Sequence, residues 1–151
     1  MTINYAIIGL GLMGQEHLRN LIELRTTHSY DINIPCLADN YPDSLTTGIT
    51  IAQPIFESIQ SYDSYESMLH DHAKQLDVVI IATPNFHHVN VLLYILKTYP
   101  QLHILCEKPV TTNISDCKLV LDAQKERQLI YPNSLLWVGL EYRYMPPITK
   151  L

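Results

Sequence analysis

Two short segments carry the side chains best suited to chemistry. One is Glu107-Lys108-Pro109, and the other runs from Thr83 to His88 with the sequence TPNFHH. A charged pair directly after the apolar run HILC is poor material for a core. A lysine amine can hydrogen-bond a substrate hydroxyl and take part in its proton transfer, so Lys108 is the candidate catalytic residue. The alternative is a solvated lysine in a loop that Pro109 stiffens, and spacing alone leaves both open.

A third motif is rich in glycine. Gly9, Gly11 and Gly14 spell GxGxxG within the sequence IIGLGLMGQEHL. In such a motif the first glycine permits a tight turn, the second lets a pyrophosphate approach the backbone, and the third lets the helix pack closely. The free N–H groups at the start of the following helix favour phosphates. We therefore predict that this turn, with Leu12 and Met13, binds a dinucleotide.

An acidic residue indicates which dinucleotide this is. Asp39 ends the second apolar run, somewhat more than the usual ~20 residues beyond the glycines. A carboxylate there accepts hydrogen bonds from the ribose hydroxyls and repels a 2′-phosphate, and neither Arg nor Lys occurs in residues 40–44. The pattern favours NAD over NADP. The alternative is that the glycines form an ordinary tight turn and that Asp39 is a turn residue.

These motifs need a scaffold that brings them together, and the apolar pattern predicts one. Strands are predicted at residues 3–8, 34–38, 55–59, 77–82, 103–106 and 135–139, with the second beginning at or after Pro35, which lacks a ladder donor. Helices are predicted at residues 13–24, 42–48, 65–72, 85–98 and 115–128, the third capped by Ser64 and the last opened by Ser115. This alternation predicts an α/β fold: a doubly wound, mostly parallel sheet with helices on both faces.

Composition excludes several classes of protein. The chain has 151 residues, 47% of them hydrophobic, and a net charge of -5, which suits one domain with a real core and argues against nucleic acid as a partner. No apolar run approaches the ~18 residues of a membrane span, and the N-terminus lacks the charged region of a signal peptide. We therefore expect no membrane partner and a cytoplasmic location.

Cysteine and histidine spacings indicate no metal site. Cys36, Cys106 and Cys117 form no CxxC pair, so we expect buried free thiols in a reducing compartment. The His70–His72 and His87–His88 clusters have no Cys or carboxylate at a familiar zinc spacing. A helix-start histidine and a loop cluster are the favoured interpretations of these two segments.

Taken together, the motifs resemble those of the Gfo/Idh/MocA family of NAD(P)-dependent oxidoreductases. The likeness rests on AIIGLGLMGQEH, LADNYPDSL, DVVIIATPNFHHVNVLLYIL and ILCEKPVTTN, and it extends over essentially the whole chain. The resemblance implies a Rossmann domain with the dinucleotide lying across it and the nicotinamide near the EKP loop. The cofactor contacts that it implies beyond the glycine turn and Asp39 are Thr83, Pro84, Asn85, His88, Glu107, Lys108 and Arg143.

The resemblance also implies a reaction. Hydride passes between the nicotinamide and a hydroxyl-bearing carbon of a sugar, an inositol or a related polyol, and Lys108 binds the reacting oxygen and helps relay the proton. Residues 1–137 are expected to form the NAD(P)-binding domain, and residues 138–151 to cross into a second α/β domain that this chain lacks. Such a chain is expected to bind NAD weakly and to turn over little alone.

Two other interpretations stay open at this point. One is a non-catalytic module that senses NAD or binds a partner. The other is a domain completed by a second chain, supplied in trans or by self-association, because the last strand and the helix expected to begin at Pro146-Pro147 would otherwise expose apolar surface.

Overall fold

The computed structural model describes residues 1–140, in which strands and helices alternate along the chain. The strands are β1 (Ile3–Ile8), β2 (Ile32–Ala38), β3 (Gln60–Tyr62), β4 (Val78–Ile81), β5 (His103–Glu107) and β6 (Leu136–Gly139). The helices are α1 (Leu12–Thr26), α2 (Pro42–Ala52), α3 (Tyr65–His72), α4 (His88–Thr98) and α5 (Ile114–Ile130), and a 3₁₀ turn at Asn85–His87 precedes α4.

The six strands within residues 1–140 form one parallel sheet in the order β3-β2-β1-β4-β5-β6. The chain builds outward in one direction from β1 and then in the other from β4, so the strand order reverses between these two neighbours. Ligands of open α/β sheets bind outside the carboxyl ends of the strands at such a reversal. The predicted doubly wound fold is confirmed, and its switch point lies beside the glycine turn.

Two apolar cores cover the two faces of the sheet. Side chains alternate along a strand, so Ile80 packs with α1 and α2 on one face while its neighbours Val79 and Ile81 pack with α3, α4 and α5 on the other. Leu10 is fully buried in the first core beneath α2. A Cβ added to Gly48 of that helix would lie 2.7 Å from Leu10 Cδ1, so side chain and helix are closely fitted.

Two strand predictions are wrong. The second strand begins at Ile32 and contains Pro35, because the register with β1 shifts there and two residues of β2 stand against one of β1. That irregularity, together with pairing to β3 that begins only at Cys36, removes the need for a donor at the proline. The strand expected at residues 55–59 is absent from the described fold; Phe56 is instead buried in the core after α2, and β3 follows at Gln60–Tyr62.

Several helix ends also differ from the prediction. The last helix begins at Ile114 rather than Ser115, and Asn113 caps it by accepting a hydrogen bond from the Asp116 N–H at 2.9 Å. Asn113 has the extended backbone that an N-cap requires, whereas Ser115 already lies inside the first turn. The first two helices are longer than predicted and end at Thr26 and Ala52.

A buried arginine holds α5 against the amino-terminal end of β5, at the end of the sheet opposite the glycine turn. Arg127 is 2% exposed, and its Nε donates to the Pro100 carbonyl oxygen at 2.7 Å while Nη1 donates to Gln124 Oε1 at 2.9 Å. Its Nη2 donates to the Leu102 carbonyl oxygen. Burial lowers the pKa of Arg127. The side chain thereby fastens α5 to the loop that precedes β5.

The three cysteines are free thiols. Cys36 and Cys106 are buried, and burial raises the pKa of each thiol to about 12, with the Glu107 charge adding to the effect at Cys106. Cys117 is exposed on α5, so the expectation of a buried thiol is wrong there. Among the described residues, 1–140, no helix has both the length and the apolar character needed to cross a membrane.

Candidate functional site

The glycine turn is a junction at which backbones touch directly. Gly9 has a φ of 90°, a conformation that favours glycine, and a Cβ there would lie 2.6 Å from the Thr83 backbone nitrogen. A Cβ on Gly14 would lie 1.9 Å from the Gly9 carbonyl oxygen. The end of β1, the start of α1 and the loop after β4 therefore meet with no room for a side chain at either position.

Gly11 sits in a different environment at the same turn. It is the N-cap of α1, and a Cβ built on it meets nothing within 4 Å. No side chain caps this helix, and its first turn contains no acidic residue. The first N–H groups of a helix have no intrahelical acceptor, and the helix dipole makes this end positive. The open space beside Gly11, Leu12 and Met13 therefore suits an anion such as a phosphate.

Asp39 is held firmly at the end of β2. Its Oδ2 accepts a hydrogen bond from the Leu10 N–H at 2.5 Å, and its Oδ1 accepts one from the Tyr41 N–H at 2.8 Å. Its own N–H donates to the Tyr62 carbonyl oxygen at 3.0 Å. Each carboxylate oxygen retains a second lone pair, so the group can still accept from the hydroxyls of a ligand.

A cleft of about 400 Å³ opens beside Asp39 at the carboxyl edge of the sheet. Its volume lies in the range of small-molecule and cofactor sites. Its walls come from the ends of β1 and β2, the β3–α3 loop, and the loop and helix after β4: Ile8, Gly9, Ala38, Asp39, Asn40, Asp63, Ser64, Tyr65, Glu66, Thr83, Pro84, His87, Asn90 and Val91. The cleft thus lies at the switch point of the fold.

The charge of this cleft is negative. Asp39, Asp63 and Glu66 line it, and none of its described lining residues is Lys or Arg. Partial burial opposes ionisation of Glu66, but hydrogen bonds from its own backbone and from the Ser64 and Tyr65 side chains lower its pKa below the ordinary value. Burial and the hydrogen bond to Glu66 raise the pKa of Tyr65 to about 12, so this hydroxyl keeps its proton at neutral pH.

One polar atom in the wall of the cleft lacks a partner. Thr83 Oγ1 is buried and makes no hydrogen bond within the described part of the chain. Buried polar side-chain atoms are normally paired, so an orphaned hydroxyl beside a cleft points to a ligand that pairs it. The open space at Gly11, the uncapped helix start and this hydroxyl together fit a dinucleotide, with its phosphates at α1.

Lys108 lies one strand further along the same edge. It is exposed directly after β5, and the Lys108–Pro109 peptide bond is cis. Glu107, the last residue of β5, is only 6% exposed. Its Oε2 accepts a hydrogen bond from the Lys108 N–H at 3.3 Å, and its Oε1 lies 2.7 Å from His17 Nε2. The glutamate therefore faces the interior while the lysine faces outward.

His88 connects the two loops that carry the polar motifs. It is 1% exposed; its Nε2 lies 2.7 Å from the Thr83 carbonyl oxygen, and its Nδ1 lies 2.8 Å from the Pro109 carbonyl oxygen. Carbonyl oxygens only accept, so the ring nitrogen that carries the hydrogen is the donor. The His88 ring lies between the loop after β4 and the loop that contains Lys108, and it holds the two loops together.

The structure brings most of the predicted site residues to one edge. Gly9, Asp39, Thr83 and Pro84 line the cleft. Gly11, Leu12, Met13 and Gly14 form the adjoining turn, Asn85 begins the 3₁₀ turn after β4, and Glu107 and Lys108 follow at β5. Arg143, Pro146-Pro147 and most of the expected crossing segment lie outside the described residues.

Sequence reasoning missed the β3–α3 side of the cleft, which Asp63, Ser64, Tyr65 and Glu66 supply. The signal was present: residues directly after a parallel strand lie at its carboxyl edge, as they do at Asp39. Placing the third strand at residues 55–59 hid it. Within residues 1–140, no three His, Cys, Asp or Glu side chains are grouped so as to hold a metal ion.

Comparison with known proteins agrees with this geometry. The model of the GFO_IDH_MocA oxidoreductase family, described as an NAD-binding Rossmann fold, matches residues 3–134. The chain belongs to this family. The resemblance seen in the motifs is therefore confirmed, and residues 3–134 match the NAD-binding Rossmann fold of an oxidoreductase family.

Relatives of known function are longer than this chain. Inositol 2-dehydrogenase of Salmonella typhimurium is 27% identical over 146 residues, which are 95% of this chain and 38% of the relative. The 2,7-anhydro-N-acetylneuraminate hydratase of Escherichia coli is 31% identical over 125 residues, 82% of this chain and 29% of that enzyme. The chain thus spans well under half the length of these relatives.

A solved structure has the same fold. The myo-inositol dehydrogenase of Lactobacillus casei, solved in complex with NAD(H) and myo-inositol, superposes with a TM-score of 0.81 at 22% identity, covering 99% of this chain and 40% of that one. At this identity the likeness is one of fold. It covers the whole arrangement of strands and helices described above.

Proposed function

We propose that this chain is the NAD-binding part of a dehydrogenase that transfers hydride between NAD and a hydroxyl-bearing carbon of an inositol, a sugar or a related polyol. NAD, when bound, supplies the nicotinamide ring that accepts or donates the hydride. The observation that carries the proposal is that the open, uncapped helix start at Gly11 and the exposed residue Lys108 lie at the same end of the sheet, after strands β1 and β5 on either side of β4.

The cleft supports NAD rather than NADP. Asp39 is fixed by two backbone N–H groups and keeps lone pairs for ribose hydroxyls, while Asp63 and Glu66 add negative charge to the same cleft. A 2′-phosphate brought to this cleft would meet three carboxylates and no cationic lysine or arginine among its described lining residues. The nicotinamide cofactor without that phosphate therefore binds with less electrostatic cost.

Lys108 is the proposed catalytic residue. The residue is exposed at the end of β5, and its amine can hold the oxygen of the reacting carbon and exchange a proton with it. The polyol class of substrate comes from the curated relatives that are inositol 2-dehydrogenases. Because one relative is a hydratase of 2,7-anhydro-N-acetylneuraminate, the assay panel includes sugars as well as inositols.

The first experiment tests the proposed binding of the NAD pyrophosphate beside Gly11. Gly11→Ala adds a methyl group where the fold leaves space, so we expect thermal unfolding to change little. The methyl group would occupy the space proposed for a phosphate, and we expect NADH to bind about tenfold to a hundredfold more weakly, as for the loss of hydrogen bonds to a charged group. Calorimetric titration measures the affinity. Unchanged NADH binding in a folded variant would exclude a pyrophosphate at this turn.

The second experiment tests the choice of cofactor. Asp39→Asn removes the charge and leaves one amide where two oxygens accepted backbone hydrogen bonds. We expect the ratio of NAD to NADP affinity to fall about tenfold. Asp43→Asn is the matched control, because Asp43 is exposed at the start of α2. Equal ratios for the two variants would contradict the assignment of Asp39.

The third experiment tests catalysis on the protein that contains this chain. A panel of inositols, sugars and polyols is screened for NAD reduction, and Lys108→Met is expected to keep NADH binding and to lose turnover by about a hundredfold or more. A protein that binds NADH, reduces NAD with no member of the panel, and behaves identically with Met at position 108 would instead be the NAD-sensing module.

A further inference from the structure

A pair of polar side chains, one buried and one half-buried, joins the helix after the glycine turn, α1, to the loop that contains Lys108. His17 Nε2 lies 2.7 Å from Glu107 Oε1, and the two side chains are 18% and 8% exposed. A carboxylate only accepts, so the hydrogen belongs to His17 Nε2. The other carboxylate oxygen of Glu107 accepts from the Lys108 N–H. One buried carboxylate therefore bridges α1 and the first peptide of the lysine loop.

The backbone of strand β6 also packs against the Glu107 carboxylate. A Cβ added to Gly139 would lie 2.8 Å from Glu107 Oε1 and 3.3 Å from Oε2. The backbone of β6 thus packs directly against the carboxylate and leaves it little room to turn away from His17. The Glu107 side chain is confined by a helix, a strand and its own loop, which is a firm support for the residue that follows it.

We propose that His17 and Glu107 are a positioning pair that fixes the distance between the helix that seats the cofactor and the amine of Lys108. His17 lies in the second turn of α1, whose first turn is the proposed phosphate seat, and Glu107 precedes Lys108. The proposal rests on the proposed function of Lys108. Both side chains are largely buried, and each acts through the placement of the lysine.

Energetics support such a role. A hydrogen bond to a charged group is stronger than a neutral one, and a buried carboxylate deprived of its donor pays the cost of desolvation. Movement of Glu107 toward water recovers that cost, and Lys108, the next residue in the chain, would move with it. Small displacements of a reacting group can cost about a hundredfold in rate, so a fixed support matters at this position.

Two substitutions at His17 separate positioning from general stability. The amide of a glutamine reaches about as far as a histidine Nε2, whereas that of an asparagine reaches only as far as Nδ1. His17→Gln can therefore still donate to Glu107, and His17→Asn cannot. Both replacements are polar and smaller than histidine. Thermal unfolding is measured first, so that labelling is carried out on folded protein.

The readout is the reaction of each lysine with an amine-acetylating reagent, followed by mass spectrometry, with and without saturating NADH. Lys97, Lys118 and Lys125 are exposed and serve as internal controls. In His17→Asn we expect the labelling rate of Lys108 alone to change by about tenfold and NADH to shield this lysine about tenfold less, while NADH affinity changes less than threefold. In His17→Gln we expect wild-type values.

Two results would overturn the proposal. One is a Lys108 labelling rate in His17→Asn equal to that of the wild type, and the other is a parallel change at all four lysines, which would indicate a general effect on stability. The labelling rates without NADH do not depend on cofactor binding. A wild-type protein that fails to bind NADH would refute the proposed function, while the comparison of Lys108 rates would still decide the positioning role.

Discussion

Replacing Arg127 tests how much of the stability depends on one buried cation. Arg127→Met keeps most of the apolar stem and removes the guanidinium. The hydrogen bonds to the carbonyl oxygens of Pro100 and Leu102 and to Gln124 Oε1 are lost together. Leu102 is 1% exposed, so its carbonyl has little access to replacement water.

The magnitude follows from two opposing contributions. The buried Leu102 acceptor left unpaired costs about 1–3 kcal/mol, and the lost hydrogen bonds to the half-buried Pro100 carbonyl and to Gln124 cost about 0.5–1.5 kcal/mol each, which gives about 2–6 kcal/mol in all. Against this, the fold no longer buries a cation, and the lowered pKa of Arg127 shows that burial disfavours its charge. We expect a net loss of about 2–4 kcal/mol in the free energy of unfolding, equivalent to a fall of about 6–15 °C in Tm for a domain of this size.

Urea and thermal unfolding followed by circular dichroism measure this loss. Arg19→Met is the matched control, because Arg19 is exposed on α1 and makes one long hydrogen bond of 3.4 Å to Gln15; a change within about 0.5 kcal/mol is expected there. Arg127→Lys cannot reproduce the fork of donors and should lose most of the same stability. A loss below about 1 kcal/mol in Arg127→Met would refute the reasoning.

Two further predictions concern the thiols and the last helix. Because burial raises the pKa values of Cys36 and Cys106 to about 12, these two thiols should stay unreactive toward a disulfide reagent at pH 8 while the exposed Cys117 reacts; three fast-reacting thiols in the folded wild type would be inconsistent with this burial. The contribution of the two buried thiols to stability should be fully present below the unfolded pKa of about 9 and be lost as the pH rises toward 12. Asn113→Ala should destabilise the fold by about 1 kcal/mol in urea unfolding, and Ser115→Ala by less than half of that, whereas the reverse order would restore Ser115 as the cap.

The parts predicted correctly from sequence have strong local signals. The β1–α1 turn is marked by three glycines whose spacing follows from backbone contacts at Gly9 and Gly14, and the central strand β4 is a continuous apolar run. Both features are legible within a dozen residues.

The parts predicted wrongly depend on distant contacts. Strand β3 has three residues, is largely polar, and exists because it pairs with the end of β2. Pro35 is accommodated by a register shift against β1 that the sequence of β2 does not announce. The contact between His17 and Glu107 joins residues far apart in the chain, and neither local pattern indicates the other.

The close contacts at Gly14 and Gly48 also determine which substitutions a second mutation can compensate. A methyl group at Gly14 would strike the carbonyl oxygen of Gly9, which every residue possesses, so no substitution elsewhere removes the obstacle. A methyl group at Gly48 would strike the side chain of Leu10, which can be shortened. A genetic selection started from alanine at position 14 should therefore return only reversion to glycine, whereas one started from alanine at position 48 should also return suppressors at Leu10.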